Sequence, residues 1–312
     1  MAHTMLKQIR SAIHQLSPDD INTRAQRPVR ILLRTNSQGS VAAIERLFLG
    51  GELGPARLAE ARAMLRREEY EEDGSRFHLV LFEAGLEAPA NWRVGYDAFQ
   101  FRPGHTEQLV TDVLAAREDL SLALARLFSP FHGRVTRDLI HRVSAENAMF
   151  SIMSALPNVI PSLAEIPWAF GEFASDTAVL TMNQIRMAFH LAAASDHLVG
   201  FSEQRTEIGS IVAGAFGWRS LAREFSGKIP FGGGLVPKAA IAYAGTWVAG
   251  ASLERLYRVG YGLTRQERKR AWDGAFAKGR EVALQLMARV KRQKNGKPEP
   301  VEAPFHSEEN LA

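Results

Sequence analysis

The feature that most constrains this chain is the block from Ser144 to Leu256, where apolar runs of helical character are broken repeatedly by Pro, Gly and single polar residues. An amphipathic surface helix shows one apolar stripe against a charged face, and the block departs from that pattern. Asn147 to Ala164 carries no formal charge over eighteen residues, with Pro157, Asn158 and Pro161 inside it. A membrane span needs roughly 17 or more apolar residues, so this run approaches the length without meeting it cleanly. Ala239 to Leu253 is a second uncharged run, of fifteen residues, which becomes a span only if Lys238 and Arg255 snorkel. Two architectures stay open: a helical hairpin dipping into the bilayer, and a soluble bundle with seams of small residues.

Within the block, the helix that starts near Pro167 carries a polar stripe. Glu172, Asp176 and Asn183 fall at spacings of four and seven, His190 follows seven further on, and Arg186 lies between. Such spacings share a helix face. Carboxylate, amide and imidazole groups together suit a divalent metal or acid–base chemistry; an interhelical polar network satisfies the same groups. No dense metal motif is present, so the network is the expected reading. The next helix, from Ser202, passes through Gly209, Gly214 and Gly217. Each glycine costs a helix roughly 1 kcal/mol relative to Ala, which predicts a close backbone approach there. Gly232, Gly233 and Gly234 then form a bend ahead of Lys238. No strand precedes it, so it reads as a hinge and not as a phosphate loop.

The front third reads as α/β. VRILLRT forms a strand, NSQGS a turn, and VAAIERLFLGG a helix ending at Gly50 and Gly51. PARLAEARAMLRREEYEED continues as a charged helix, FHLVLFEAGL is a second strand, and WRVGYDAF a third. Strands alternating with helices predict a small three-stranded parallel sheet followed by a mainly helical bundle. From Thr106, with a capping-box signature, TEQLVTDVLAAREDLSLALARLF forms one helix that the SPF at Ser129 breaks. Nucleotide hydrolysis has no support in the first turn. It offers one glycine, Gly39, and no Lys, although Ser37, Ser40 and the following amides are suited to a small anion. Glu83 and Gly85 end the second strand as a lone acid and glycine, which a strand terminus explains.

Cysteine is absent, which excludes disulfides, thiolate metal sites and a cysteine nucleophile. The N-terminus has no secretory signal pattern. The net charge of +4 is unevenly placed, because the stretch from Arg265 to Lys297 collects most of the excess. Trp272, Phe276, Val282, Leu286 and Val290 recur there near the helical period, so it reads as a basic amphipathic helix. Arg268, Lys269, Arg270, Lys291 and Arg292 are its candidate contacts to an acidic surface, either lipid headgroup or nucleic-acid phosphate. The Pro- and Glu-rich end reads as a disordered tail. The expected divisions are 1–104, 105–262, 263–296 and 297–312.

PWAFGEFASDTAVLTMNQIRMAFHLA, GWRSLAREF and KIPFGGGLVPKAAIAYAGTWVAG together resemble the YcjF-like bacterial domain of unknown function, over roughly Val135 to Tyr261. The likeness rests on Asp176, the pair Asn183 and Gln184, Arg186 and Met187, the glycine-rich helix and the Ile-Pro bend. It implies membrane association and supplies no catalytic residue. Members often follow GTP-binding domains, and the front third looks like a shortened relative of one that lacks the phosphate-loop Gly-Lys-Ser and the base-recognition segment. The resulting expectation is a non-catalytic scaffold at the cytoplasmic face of the inner membrane. Its expected partners are lipids and either a second copy or another protein, with no nucleotide, cofactor or metal. An enzyme or ion-handling protein built on the polar stripe, and nucleic-acid binding through the basic helix, are the alternatives.

Overall fold

The computed structural model describes residues 16–51, 54–67, 77–88, 90–154, 176–214 and 234–294. Pro18 opens α1 (Pro18–Gln26) at its first position, where its missing N–H costs nothing. β1 (Ile31–Arg34) is buried from Ile31 to Leu33, half-buried at Arg34, and leads to α2 (Gln38–Leu49). Ser37 starts α2 by accepting the Ser40 N–H at 3.0 Å. α3 (Pro55–Met64) again begins on proline. β2 (Leu65–Arg67) follows it directly, so the charged segment expected to be all helix yields a strand. β3 (Leu79–Glu83) and β4 (Ala98–Phe101) complete the sheet.

The sheet is parallel throughout in the order β2-β1-β3-β4, with Ile31 opposite both Leu65 and Leu79 and Val80 opposite Ala98. It is parallel as expected and has one strand more than the three read from sequence. The third expected strand begins later than WRVGYDAF suggests, because Asp97 belongs to a turn in which its carboxylate accepts the Arg93 N–H. Alternation separates the two faces of the sheet. Ile31, Leu33, Leu79 and Leu81 join Ile44, Phe48 and the helices that follow β4 in one core, whereas Leu32, Val80 and Phe82 point to a smaller cluster with Phe77 and Trp92.

The helical stretch after β4 is three pieces rather than one: α4 (Thr106–Ala116), a 3-10 turn (Glu118–Leu120) and α5 (Ser121–Leu127). His105, not Thr106, is the N-cap of α4, and no side chain caps it. Leu109, Val113, Leu124 and Phe128 pack into the sheet's core, so the first compact unit runs from Ser17 to Asp138, beyond the division expected after residue 104, and also takes in Phe189–Glu203. Ser129 begins α6 (Ser129–Met153) rather than ending a helix, and the break falls at the extended Phe128. Phe48 meets Phe128 and Phe131 edge-on at 5.2 and 5.7 Å.

The segment 189–203 is tied to its unit by polar contacts. Buried Arg126 donates to the Ala25 carbonyl at 2.8 Å and pairs with both Glu60 and Asp196. Asp196 stands at φ 65°, a left-handed conformation normally given to Gly or Asn after a helix. Its carboxylate is what Arg126 holds. The Asn22 side chain exchanges two bonds with the Val199 backbone, at 2.8 and 3.0 Å.

The second unit holds the rest of α6 from Leu139, α7 (Asp176–Ala194) as far as Ala188, α8 (205–214), α9 (Leu235–Val259) and α10 (Arg265–Lys294). α9 has no exposed residue from Leu235 to Tyr257. The uncharged run Ala239–Leu253 is therefore the buried centre of a helical bundle, and no helix among the described residues is long and apolar enough to cross a membrane. α9 begins at Leu235, so Lys238 lies inside its first turns and not in the bend; Gly232 and Gly233 are outside the described residues.

Of the three glycines expected to mark a close approach, Gly209 does not and Gly217 lies outside the described residues, while close approach occurs at Gly279 and Gly250. A Cβ at Gly209 would meet nothing within 4 Å, whereas one at Gly279 of α10 would lie 2.9 Å from the Tyr243 Cβ and 3.0 Å from the Ala240 carbonyl. One at Gly250 would lie 2.8 Å from Ile140. α9 ends at Gly260, φ 86°, and α10 starts on a capping box: Thr264 Oγ1 accepts the Glu267 N–H, and Glu267 Oε2 accepts the Thr264 N–H.

Candidate functional site

Open parallel sheets bind ligands beyond the carboxyl ends of their strands, where the strand order reverses. Here that point lies between β1 and β3, at the loop that starts α2. Glu83, the last residue of β3, fills it. Its Oε2 accepts the Asn36 N–H at 2.9 Å, and its Oε1 accepts the Ser40 hydroxyl at 2.6 Å and the Ser37 hydroxyl at 3.2 Å. These bonds, the one from Ser40 foremost and that from the Asn36 N–H next, hold the Glu83 carboxyl below the usual carboxylate range against desolvation. The start of α2, which attracts an anion through its free amides and dipole, thus already holds the chain's own carboxylate. Sequence reading placed Ser37 and Ser40 at an anion site and Glu83 at a strand end. The β1–β3 pairing, which sets Arg34 opposite Phe82, unites them.

The polar stripe is the second candidate. Asn183 is buried, and its Nδ2 donates to Asn147 Oδ1 at 2.7 Å. Asn147 Nδ2 donates to Thr246 Oγ1 at 2.8 Å, and Gln184 Nε2 reaches the same oxygen at 3.1 Å. One amide–hydroxyl network therefore joins α6, α7 and α9, and of the stripe it takes in Asn183. Arg186 pairs with Glu146 at 2.7 Å, both about one-quarter exposed. Burial lowers the Arg186 guanidinium, and Glu146 opposes the shift. His190 falls in the segment 189–203 that belongs to the sheet-bearing unit. Glu172 lies outside the described residues, and only the backbone of Asp176 is described. Among the described residues no group of three or more His, Asp or Glu side chains is placed to hold a metal. Asn147, Thr246 and Glu146 were missed in the sequence because their relation to the stripe exists only across helices.

Next to this network, Tyr243 is fully buried, and its hydroxyl meets His141 Nδ1 at 2.6 Å. Burial pushes the Tyr243 phenol well above its usual range. Its ring stacks on Trp247 with centroids 6.1 Å apart.

α10 is the third candidate. Its apolar side, including Ala275, Val282, Ala283 and Leu286, packs with Ala239, Tyr243 and Ala244 of α9, and Trp272 and Phe276 are partly buried against the same cluster. The amphipathic pattern is thereby spent inside the protein. Arg265, Arg268, Lys269, Arg270, Arg280 and Arg289 are exposed and form no ion pair among the described residues. Lys291 and Arg292 lie on the same helix, which carries ten basic residues against three acidic ones.

The chain matches no family model, no curated protein and no solved structure.

Proposed function

We propose that this protein is a non-catalytic helical scaffold that docks on the cytoplasmic face of an anionic membrane through the outer side of α10. The carrying observation is that α10 spends its apolar side on α9 while its exposed cations have no ion-pair partner among the described residues. A basic helix whose apolar face is already covered binds by charge, at about 1 kcal/mol for each Lys or Arg that reaches the headgroups. Such docking is peripheral, in keeping with the buried α9. Two further observations support a non-catalytic reading: Glu83 occupies the sheet's ligand position, and Asn183 is committed to a bond between helices. The YcjF-like resemblance and a GTPase-derived front unit that has kept a structural role agree with this reading and are part of the proposal.

Fractionation of cells producing the full chain tests it. Peripheral docking predicts recovery with membranes at low salt and release by about 1 M NaCl, where the screening length falls to about 3 Å. Recovery in the soluble fraction at low salt, or retention through salt and carbonate washes, would contradict it. Duplex DNA is the rival acidic surface, and preferential binding to it over anionic lipid would favour nucleic-acid recognition by the same helix.

A further inference from the structure

The outer side of α10 is short of acids. Arg265, Arg268, Lys269, Arg270, Arg280 and Arg289 are exposed and form no ion pair among the described residues. Of the three acids on the helix, Glu267 is held by Arg255 and Glu281 by Lys278, which leaves Asp273 against those six cations. Lys269, Arg280 and Lys291 recur every eleven residues, so they drift by roughly 20° per step and stay near one line along the helix. Like charges set in a row repel, and an acidic strip laid along them relieves the repulsion.

The chain beyond α10 carries the complementary charge. Residues 295–312 lie outside the described residues, and their sequence sets Glu299, Glu302, Glu308 and Glu309 against Lys297, a net charge of −3. The spacing of these acids matches the helix. Measured back from Lys294 along the helix rise, Arg280 lies about 21 Å away and Lys269 about 38 Å. A segment punctuated by Pro298, Pro300 and Pro304 spans about 3.1 Å per residue when extended, so Glu302 reaches about 25 Å from the same point and Glu308 about 43 Å.

We propose that the acidic segment 299–309 folds back along the outer side of α10 and covers its cations, so that the chain carries its own competitor for anionic lipid. The competition rests on the membrane-docking reading; the contact between segment and helix does not. Single exposed ion pairs are weak. A tether turns them into an intramolecular contact at an effective concentration of about millimolar. That is tight enough to occupy the face at low salt and loose enough for a surface of many lipid phosphates to displace it.

Zero-length carbodiimide crosslinking of the full chain, read by mass spectrometry on the monomer band, tests the contact without lipid. Amides should form from Glu308 or Glu309 to Lys269. Their yield should fall at least about tenfold in about 1 M NaCl, where the screening length is about 3 Å. It should fall likewise when Arg268→Glu and Arg270→Glu are combined, a variant that keeps Lys269 as the acceptor. Absence of these amides, or a yield indifferent to salt and to that variant, would overturn the proposal. Vesicle affinity tests the competition. Glu308→Gln with Glu309→Gln should tighten binding to phosphatidylglycerol-containing vesicles about fivefold. Glu87→Gln with Glu107→Gln makes the same change of net charge at exposed sites of the sheet-bearing unit and should have no comparable effect. Equal gains in the two variants would make net charge the cause and sink the competition. A chain that crosslinks as expected yet binds no anionic vesicle would defeat the membrane-docking reading and leave the tail contact standing.

Discussion

Gly274 and Gly279 lie five residues apart on α10 and meet opposite surroundings. A methyl at Gly274 meets nothing within 4 Å, whereas one at Gly279 collides with α9 at 2.9 to 3.1 Å, partly with backbone that cannot swing away. Gly274→Ala should therefore stabilise the protein by about 1 kcal/mol through helix propensity. Gly279→Ala gains the same propensity but adds an overpacking cost of about 1–3 kcal/mol, and should be neutral to destabilising. Denaturant melts of the two variants check this, and equal stabilisation would show that α10 is not seated closely on α9. The amide network gives a second residue-scale test. Asn147→Leu strands the Asn183 donor at a cost of about 1–3 kcal/mol, so the double variant with Asn183→Leu should lose less than the two single losses combined. Strict additivity in the same melts would mean that the two amides are not coupled. The stripe's period was readable in the sequence, but its partners were not, because Asn147 and Thr246 lie 36 residues before and 63 residues after Asn183.

At the scale of elements, the α9–α10 hairpin is fastened by charge at its turn. The Arg255 guanidinium, followed by the Thr264 N–H and hydroxyl, holds the Glu267 carboxyl down from 4.5 to about 2. A carboxyl depressed in the folded state contributes stability that is present above its unfolded value and lost as pH falls through its folded one. Thermal melts should therefore show this part of the stability disappearing between pH 4.5 and about 2, with a shallower loss over that window in Glu267→Gln. Identical slopes would mean that the turn is held by packing alone. Elements with strong local signals were legible. β1 and β3 are continuous buried runs, and α2 opens on a capping serine and stops at Gly50. β2 was not, because Leu65-Arg66-Arg67 has ordinary helix-forming residues and becomes a strand only through its pairing with β1. The same limit hid the role of Glu83, whose partners at Asn36, Ser37 and Ser40 are more than forty residues away and arrive by β1–β3 pairing.

At the scale of the whole molecule, the uncharged stretches that suggested a bilayer interior are spent, where described, on helix packing, and the charge imbalance is concentrated on one helix. α10 carries seven more basic than acidic residues in a chain whose net charge is +4. On the proposed function, this surplus is a docking surface and not merely a solvated face. Co-sedimentation of the full chain with phosphatidylglycerol-containing vesicles, against pure phosphatidylcholine, measures it most directly. Changing Lys269, Arg270 and Arg280 to Glu together should lower vesicle affinity by at least about a hundredfold while leaving the melting temperature within a few degrees, since these side chains are exposed and lie off the core. The unaltered chain should show no comparable affinity for phosphatidylcholine. Undiminished binding by the triple variant, or equal binding to both kinds of vesicle, would contradict the account.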